Sequence, residues 1–493
     1  MRTDSDKLPH VVAVLPRGEA IRNFVYTGCL DAVRRHARLT VLSVVPNEAL
    51  GDMLRERYGP YVPLAPVAEA WPTRFTREIL DLAHGRHLWS AAARERWRLR
   101  DLEAVSPRQR VKRAVKKLAA RPFANQRGLD LLSRFERGVS RRLRRSDRFV
   151  QLLRELRPTL VFNASHVHGQ LGLQPVQAAQ WLGIPTAAFI FSWDNLTSQG
   201  RIIPPYDAYL VWNEVLRGQL LALYPSVRPD RVFVTGTPQF DPHFQAAHHW
   251  SRERFCTVVG ADPARPIVLY STGMDNHVPG EPQIVTALAD RLAEMIDLGP
   301  PQLLVRVYPK ERSNRFERLR RTRPDILLPH IPWETRFLTP EPADVPLLTN
   351  MLRHAAVGIN VASTVSLELC MLDTPVINVA YDPDGADMGS LRLSEYYGYE
   401  HYRPVVASGA VGLARSEAEL VWLIREALTA PERRRAARRG LMRDMFGPTL
   451  DGASAARVAD ALVALAAGGR LPRPAPHDRA GTAAAPPAIA TRS

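Results

Sequence analysis

The sequence predicts an α/β protein built from two successive doubly wound halves that face a cleft, with a helical, strongly basic insertion in the first half. Three observations predict it. Short apolar, β-branched runs alternate with stretches of helical periodicity along most of the chain. The alternation starts afresh after Asp262 and Pro263. Between the second strand and the run LVFN lies a long segment rich in Arg, Leu and Ala that carries few strand signals.

Taken in order, the run VVAVLP after His10 reads as a strand, RGEAIRNFVYTGCLDAVRRH as a helical stretch and LTVLSVV as a second strand. The insertion, roughly 71–156, reads as helical. Further buried strands are expected at Leu160 to Asn163, Thr186 to Phe191, Ala208 to Trp212 and Arg231 to Val234. The second series comprises PIVLYSTG, a helix from about Pro282 to Ile296, QLLVRVYP, DILL, AVGINVAS, another helix and TPVINVAY. Alternation of this kind favours parallel sheets covered on both faces, with ligands bound beyond the carboxyl ends of the strands. The expected organisation is therefore a first domain over 1–250, a second over 251–450 and a last packed helix at 451–467. Residues 468–493, rich in Ala, Pro, Gly and Arg, are expected to form a disordered tail.

Composition limits the function classes. Of 493 residues, 45% are apolar and 24% charged, the balance of an ordinary globular protein rather than a fibrous, disordered or multi-span one. Cys29, Cys256 and Cys370 lie far apart, with no CxxC pair, which suits a reducing compartment. The first residues carry no apolar signal region, and no run approaches the roughly 18 apolar residues needed to span a bilayer. A cytoplasmic location, peripheral to a membrane, is expected.

The 66 Lys plus Arg against 50 Asp plus Glu give a net +16. Between Arg94 and Arg148 stand 19 basic and 6 acidic residues, so +13 of that excess sits in the insertion. There Val111, Val115 and Leu118 recur at helical spacing beside Arg113, Lys116 and Lys117, a basic amphipathic pattern. Such a helix suits the headgroup region of an anionic membrane. A solvated helical face is the plain alternative. Nucleic acid is disfavoured, because no helix-turn-helix, zinc-finger or RNA-binding signature accompanies the charge.

The most informative segment is AVGINVASTVSLELCMLDTPVINVAY, from Ala356 to Tyr381. A buried strand ends near Ala362, Ser363 and Thr364 stand at the start of the next helix, and Glu368 follows one turn later. A helix start behind a strand suits a diphosphate, and a carboxylate with two acceptor oxygens suits a ribose diol. An ordinary capped helix explains the same residues. The segment resembles the nucleotide-sugar-binding stretch of GT-B glycosyltransferases, which consist of two Rossmann-like domains. The resemblance implies a phosphate role for Ser363 and Thr364 and a ribose role for Glu368. It covers the layout of most of the chain.

Other loops follow strands of the two halves. Ser271, Thr272 and Gly273 in STGMDNH can let a backbone approach a phosphate closely. In RVYPKERSNR, which resembles the His/Tyr-Pro-Lys-Glu loop of several GT-B families, Arg306 and Lys310 are candidates to neutralise a leaving diphosphate. Arg312 and Arg315 read more readily as a solvated charged turn.

In the first half Glu19 is a candidate general base for an acceptor hydroxyl, or else a first-turn acid stabilised by its helix. FSWDNLTSQGR brings Trp193, Asp194 and Asn195 to a strand end, with Asp194 as the alternative base or a turn former. SWDNLTS resembles bacterial surface-carbohydrate glycosyltransferase-like proteins. NASHVHGQ brings His166 and His168 to the same edge, at a spacing that fits no zinc pair; no metal site is expected. GTPQFDPH, from Gly236 to His243, resembles the interdomain passage of GT-B enzymes, and His401 and Tyr402 in YYGYEHYRPV are candidates to line the cleft.

The resemblance implies a metal-independent glycosyltransferase that moves a sugar from a nucleotide-sugar donor to a surface-polysaccharide or lipid-linked carbohydrate acceptor, with no cofactor beyond the donor itself. The alternatives are a nucleotide-sugar 2-epimerase, a glycerophosphate or polyol-phosphate transferase, and a non-catalytic GT-B-like binding module.

Overall fold

Strands buried on both faces need apolar residues at every position, and β1 (His10–Leu15) is buried along its whole length. The same holds for β4 (Leu160–Asn163), β5 (Thr186–Phe189) and β6 (Ala208–Val211). With β2 (Arg38–Ser43), β3 (Val62–Pro63) and β7 (Val232–Val234), they form a seven-stranded sheet in the order β3-β2-β1-β4-β5-β6-β7. Every pairing in it is parallel. The strand order reverses between β1 and β4, where Val14 pairs with Asn163. Open sheets of this kind present their binding crevice at that switch.

The computed structural model describes residues 8–45, 47–166, 170–311, 313–389 and 391–468. The segment expected as a tail lies outside the described residues from 469 onward. Contacts between Cα atoms divide the chain into two units, Met1–Gln239 with Ala453–Ser493, and Phe240–Gly452. The division falls inside GTPQFDPH, before residue 250. Its cause is local bonding, since Trp250 N–H donates to Asn350 Oδ1 at 2.8 Å and Asn350 Nδ2 to the His248 carbonyl at 2.7 Å. Phe240 also meets the Phe446 ring edge-on at 5.9 Å. In the first unit, helix Ser454–Ala466 packs against helix Cys29–Arg34, β1 and β4. Arg457 Nε there donates to the Thr235 carbonyl at 2.9 Å.

The insertion is helical, with helices at Trp71–Leu88, Ala91–Leu102, Pro107–Ala120, Gln126–Arg142 and Arg148–Leu156. Ser90, Ser106 and Asn125 cap three of these, each accepting from a backbone N–H three residues on. The insertion has a small core of its own, in which Ile79, Leu80, Leu82 and Ala83 meet Ala120, Leu129 and Leu132. Arg77 ties it further by pairing with both Glu69 and Glu136 at 2.8 Å.

The second unit carries β8 (Ile267–Ser271), β9 (Gln302–Arg306), a short hairpin of β10 (Trp333–Glu334) and β11 (Thr339–Pro340), then β12 (Val357–Asn360), β13 (Val376–Val379) and β14 (Gly412–Ala414). Its five-stranded sheet has the order β14-β13-β12-β8-β9, again parallel throughout. DILL, expected as a strand, makes only the single bridge Leu304↔Leu327. It follows Pro324, which has no N–H to give a ladder. The fold is thus two Rossmann-like α/β units. In the second, register aligns Asn378, Asn360, Ser271 and Arg306 side by side across four strands, one polar row at the carboxyl edge.

Helix Val365–Met371 rests on β12 at a close approach: a Cβ added at Gly358 would lie 2.2 Å from Leu369 Cδ1. Leu369 is fully buried and has no room to swing away. Gly358→Ala is therefore expected to destabilise the protein by about 1–3 kcal/mol, as overpacking does. Denaturant unfolding of the purified variant checks this, and an unchanged midpoint would contradict the packing described.

Candidate functional site

The second unit's site grows from the end of β12. Ala362 there adopts φ +40°, a left-handed conformation that costs a non-glycine residue roughly 1–2 kcal/mol. The turn is held by Asn360, whose Oδ1 accepts from Ser363 N–H at 3.1 Å, Ser366 Oγ at 2.9 Å and Asn378 Nδ2 at 3.1 Å. The Tyr402 hydroxyl lies 2.8 Å from Ser366 Oγ and 2.9 Å from Asn378 Oδ1. Asn360 Nδ2 is buried with no hydrogen-bond partner among the described residues. Ser363 and Thr364 are half-buried on the turn.

Glu368 stands one turn into the helix and is buried. Its Oε1 lies 3.2 Å from His243 Nε2, and His243 Nδ1 lies 3.1 Å from Thr349 Oγ1. His243 is itself buried and stacks on Phe240, with ring centroids 6.3 Å apart. Glu368 Oε2 takes no hydrogen bond from a described residue, so one oxygen is anchored and one is open to a ligand hydroxyl. The sequence reading assigned His243 no part here. Its signal was its place as the last residue of GTPQFDPH.

Around this centre the other expected donor-site residues have structural partners. Arg306 is buried and turned onto Asp344, 2.8 Å from Oδ1 and 3.0 Å from Oδ2, and Trp333 Nε1 donates to Oδ2 at 2.6 Å. Its charge is therefore balanced inside the unit. Lys310, half-buried, lies 5.7 Å from the Tyr308 ring centre. Ser271 is buried at the end of β8, and Thr272 Oγ1 accepts from Tyr308 N–H at 2.8 Å. Gly273 N–H donates to Glu281 at 2.9 Å.

Arg315 departs from the solvated turn expected of it. It is largely buried, reaching Glu281 at 3.1 Å, Glu311 at 2.7 Å and the Gly273 carbonyl at 3.2 Å. The physical reason is Glu281, a fully buried carboxyl that burial pushes up to about 8, with hydrogen bonding from Gly273 and the charge of Arg315 acting the other way. Arg312 lies outside the described residues. His401 is half-buried beside Tyr399, 5.9 Å between rings, whereas Tyr402 is wholly buried under the turn rather than at a surface.

In the first unit, Glu19 is buried and held at two points by Arg17, each at 2.6 Å, with Arg17 lying 4.9 Å from the Phe191 ring centre. Asp194 Oδ2 accepts from Ser198 Oγ at 2.7 Å and Asn195 Oδ1 from Ser192 N–H at 2.9 Å, so both shape the short helix Asn195–Ser198. Trp193 is buried. His168 lies outside the described residues.

His166 is placed differently. Its Nδ1 lies 3.1 Å from the Phe189 carbonyl. A carbonyl only accepts, so Nδ1 carries the proton and Nε2 is left as an acceptor. His166 and Asn163 line a cavity of about 550 Å³ together with Tyr206, Arg74, Arg96 and Arg201. Arg201 donates to Asp130 at 2.8 Å and Ser133 at 3.1 Å, yet its Nη1 is buried with no partner among the described residues. The sequence reading missed this cavity, because only folding brings Arg74 and Arg96 of the insertion to the end of β4.

Burial lowers the His166 pKa to about 4, with the bond to Phe189 opposing it. The unfolded chain takes up this proton near pH 6.5 while the folded chain refuses it until about 4. Acidification between those values thus favours unfolding, by at most about 1.4 kcal/mol per pH unit for this group. The His166 ring signals are expected to stay constant from pH 8 down to 5.5 in an NMR titration, and His166→Gln should flatten the stability slope below pH 6.5. A midpoint near 6.5 would contradict the assignment.

No family model matches this chain, and no curated protein matches it in sequence. Solved structures do. A UDP-N-acetylglucosamine 2-epimerase superposes with a TM-score of 0.50 at 14% identity, covering 95% of this chain and 98% of that one. A Listeria monocytogenes protein named as a UDP-N-acetylglucosamine 2-epimerase gives 0.51 at 13% identity, covering 93% and 96%. A glycosyltransferase from Rickettsia africae overlaps more loosely, at 0.45 and 10% identity, over 92% and 99%. At these identities the likeness is one of fold, and the fold it establishes for this chain is the GT-B-like pair of Rossmann-like units.

Proposed function

We propose that this chain is an enzyme acting on a nucleotide sugar, and that its reaction is epimerisation of the sugar rather than the glycosyl transfer expected first. The observation that carries the binding half of this reading is Glu368: a buried carboxylate with one oxygen fixed by His243 and the other open. The open oxygen accepts a ribose hydroxyl, and Ser363 and Thr364 meet the diphosphate on the strained turn. The choice of epimerisation is supported by two structures that superpose with TM-scores of 0.50 and 0.51, both named as UDP-N-acetylglucosamine 2-epimerases and both matched over nearly their full length.

A specific observation favours glycosyl transfer as the second reading. The cavity at Asn163 and His166 offers an unprotonated Nε2 and the unmatched Nη1 of Arg201, which suit an oxygen-rich acceptor such as a carbohydrate or a lipid-linked sugar phosphate. Glu19 and Asp194, the bases expected first, are bound to Arg17 and Ser198 and are not among the residues that line this cavity.

Incubation with UDP-N-acetylglucosamine in deuterated water separates these readings. Epimerisation at the 2-position without an acceptor is expected, with solvent deuterium entering the product and no release of UDP. UDP release that depends on an added carbohydrate acceptor would replace it with transfer, and no nucleotide binding at all would leave a non-catalytic module. Glu368→Ala should weaken nucleotide affinity about tenfold, near the 1.4 kcal/mol of one hydrogen bond to a charged group. Glu368→Gln keeps the side-chain shape and one acceptor oxygen, and so separates lost binding from lost folding in calorimetric titration.

A further inference from the structure

One helix of the insertion shows its apolar stripe to solvent. In helix Pro107–Ala120 three cations face the protein: Arg113 and Lys117 pair with Asp101, and Lys116 pairs with Glu78. The ring of Trp97 lies under Lys117 at 5.0 Å and Arg113 at 5.9 Å. The apolar stripe of the same helix faces out, with Val111 63%, Val115 57% and Leu118 62% exposed. Helix Gln126–Arg142 buries Leu129 and Leu132 in the insertion's core and also exposes Leu131 (61%) and Phe135 (60%), four residues apart. At the start of helix Trp71–Leu88, Trp71 and Phe75 are exposed and packed edge to face, 5.8 Å between rings.

Scattered exposed apolar residues need no explanation, but concentration does. Among the described residues, ten of the 14 exposed large apolar side chains lie between Trp71 and Leu143. Exposed cations are interspersed among them: Arg108, Arg110 and Lys112 on one helix, Arg121 and Arg127 at the following bend and Arg134 on the next. No described helix is long and apolar enough to cross a membrane. A surface of this composition suits an interfacial position, with apolar side chains below the headgroups and cations among anionic ones.

We infer that the insertion docks this protein on an anionic lipid surface, and that the outward residues Val111, Val115, Leu118, Leu131 and Phe135 enter the acyl boundary. The cations on the inner side of helix Pro107–Ala120 hold the helix in place instead of touching lipid. The sequence expectation credited the apolar residues and the neighbouring cations Arg113, Lys116 and Lys117 together, whereas in the structure those three cations are paired on the inner side. The inference is independent of which nucleotide-sugar reaction the protein performs.

Co-sedimentation of the full chain with phosphatidylcholine vesicles, with and without phosphatidylglycerol, tests it. Binding is expected only to the anionic vesicles. The variants V115D/L118D and L131D/F135D, altered at exposed sites, should each lower the partition coefficient at least about tenfold while keeping the far-UV circular dichroism of the parent. Three results would overturn the proposal. One is no sedimentation with anionic vesicles. Another is vesicle binding that salt abolishes and the aspartate variants leave intact, which would mean attraction by charge alone. The third is a lipid-independent dimer, seen by sedimentation equilibrium, that the aspartate variants dissociate, since the covered face would then belong to a second copy.

Discussion

One carboxamide oxygen organises the second unit. Asn360 Oδ1 receives three donors, from the chain that follows it, from the helix beyond and from the neighbouring strand. Without them the left-handed turn at Ala362 would have little to oppose its cost. The consequence runs outward. The turn sets where helix Val365–Met371 begins, the helix sets where Glu368 stands, and Glu368 meets His243 only from that position. Tyr402 closes the network from below, which explains why a residue first read as lining a cleft is wholly buried. Neutral hydrogen-bonding groups do this work, so the turn is held without a buried charge beneath it.

Charge elsewhere is matched where it is buried and left open where it is not. Arg17 with Glu19, Arg306 with Asp344 and Arg315 with Glu281 and Glu311 are all pairs in which a cation taken from water has found a carboxylate. The insertion follows the same rule on its inner side, where Lys116 pairs with Glu78 and Lys117 with Asp101. Arg201 pairs with Asp130 and still leaves one buried nitrogen, Nη1, without a partner among the described residues in the cavity at β4. An unsatisfied donor of this kind costs about 1–3 kcal/mol, and a ligand oxygen would recover it.

The fold was legible because its signal is local. A parallel strand covered on both faces has to be apolar along its length, so LVFN or VGIN announces itself in four letters. DILL is apolar over its last three residues and failed as a strand, since pairing depends on the ladder offered by the neighbouring chain. Glu368, Ser363 and Thr364 were legible because a strand, a turn and a helix lie consecutively. His243 was not, for its partners stand 106 and 125 residues away in sequence. Nor was the orientation of helix Pro107–Ala120. Periodicity reveals that a helix has two faces, whereas Asp101 and Glu78 decide which face turns inward.

Helix Ser454–Ala466 belongs to the unit that the chain began, after 213 intervening residues, Phe240–Gly452, have formed the other. The second unit is therefore continuous in synthesis and the first is not. On the ribosome, the second unit can close as soon as it emerges, while β1 and helix Cys29–Arg34 wait for helix Ser454–Ala466 with an apolar face uncovered. A chain cut short before residue 454 would lose none of the second unit and still leave the first unfinished.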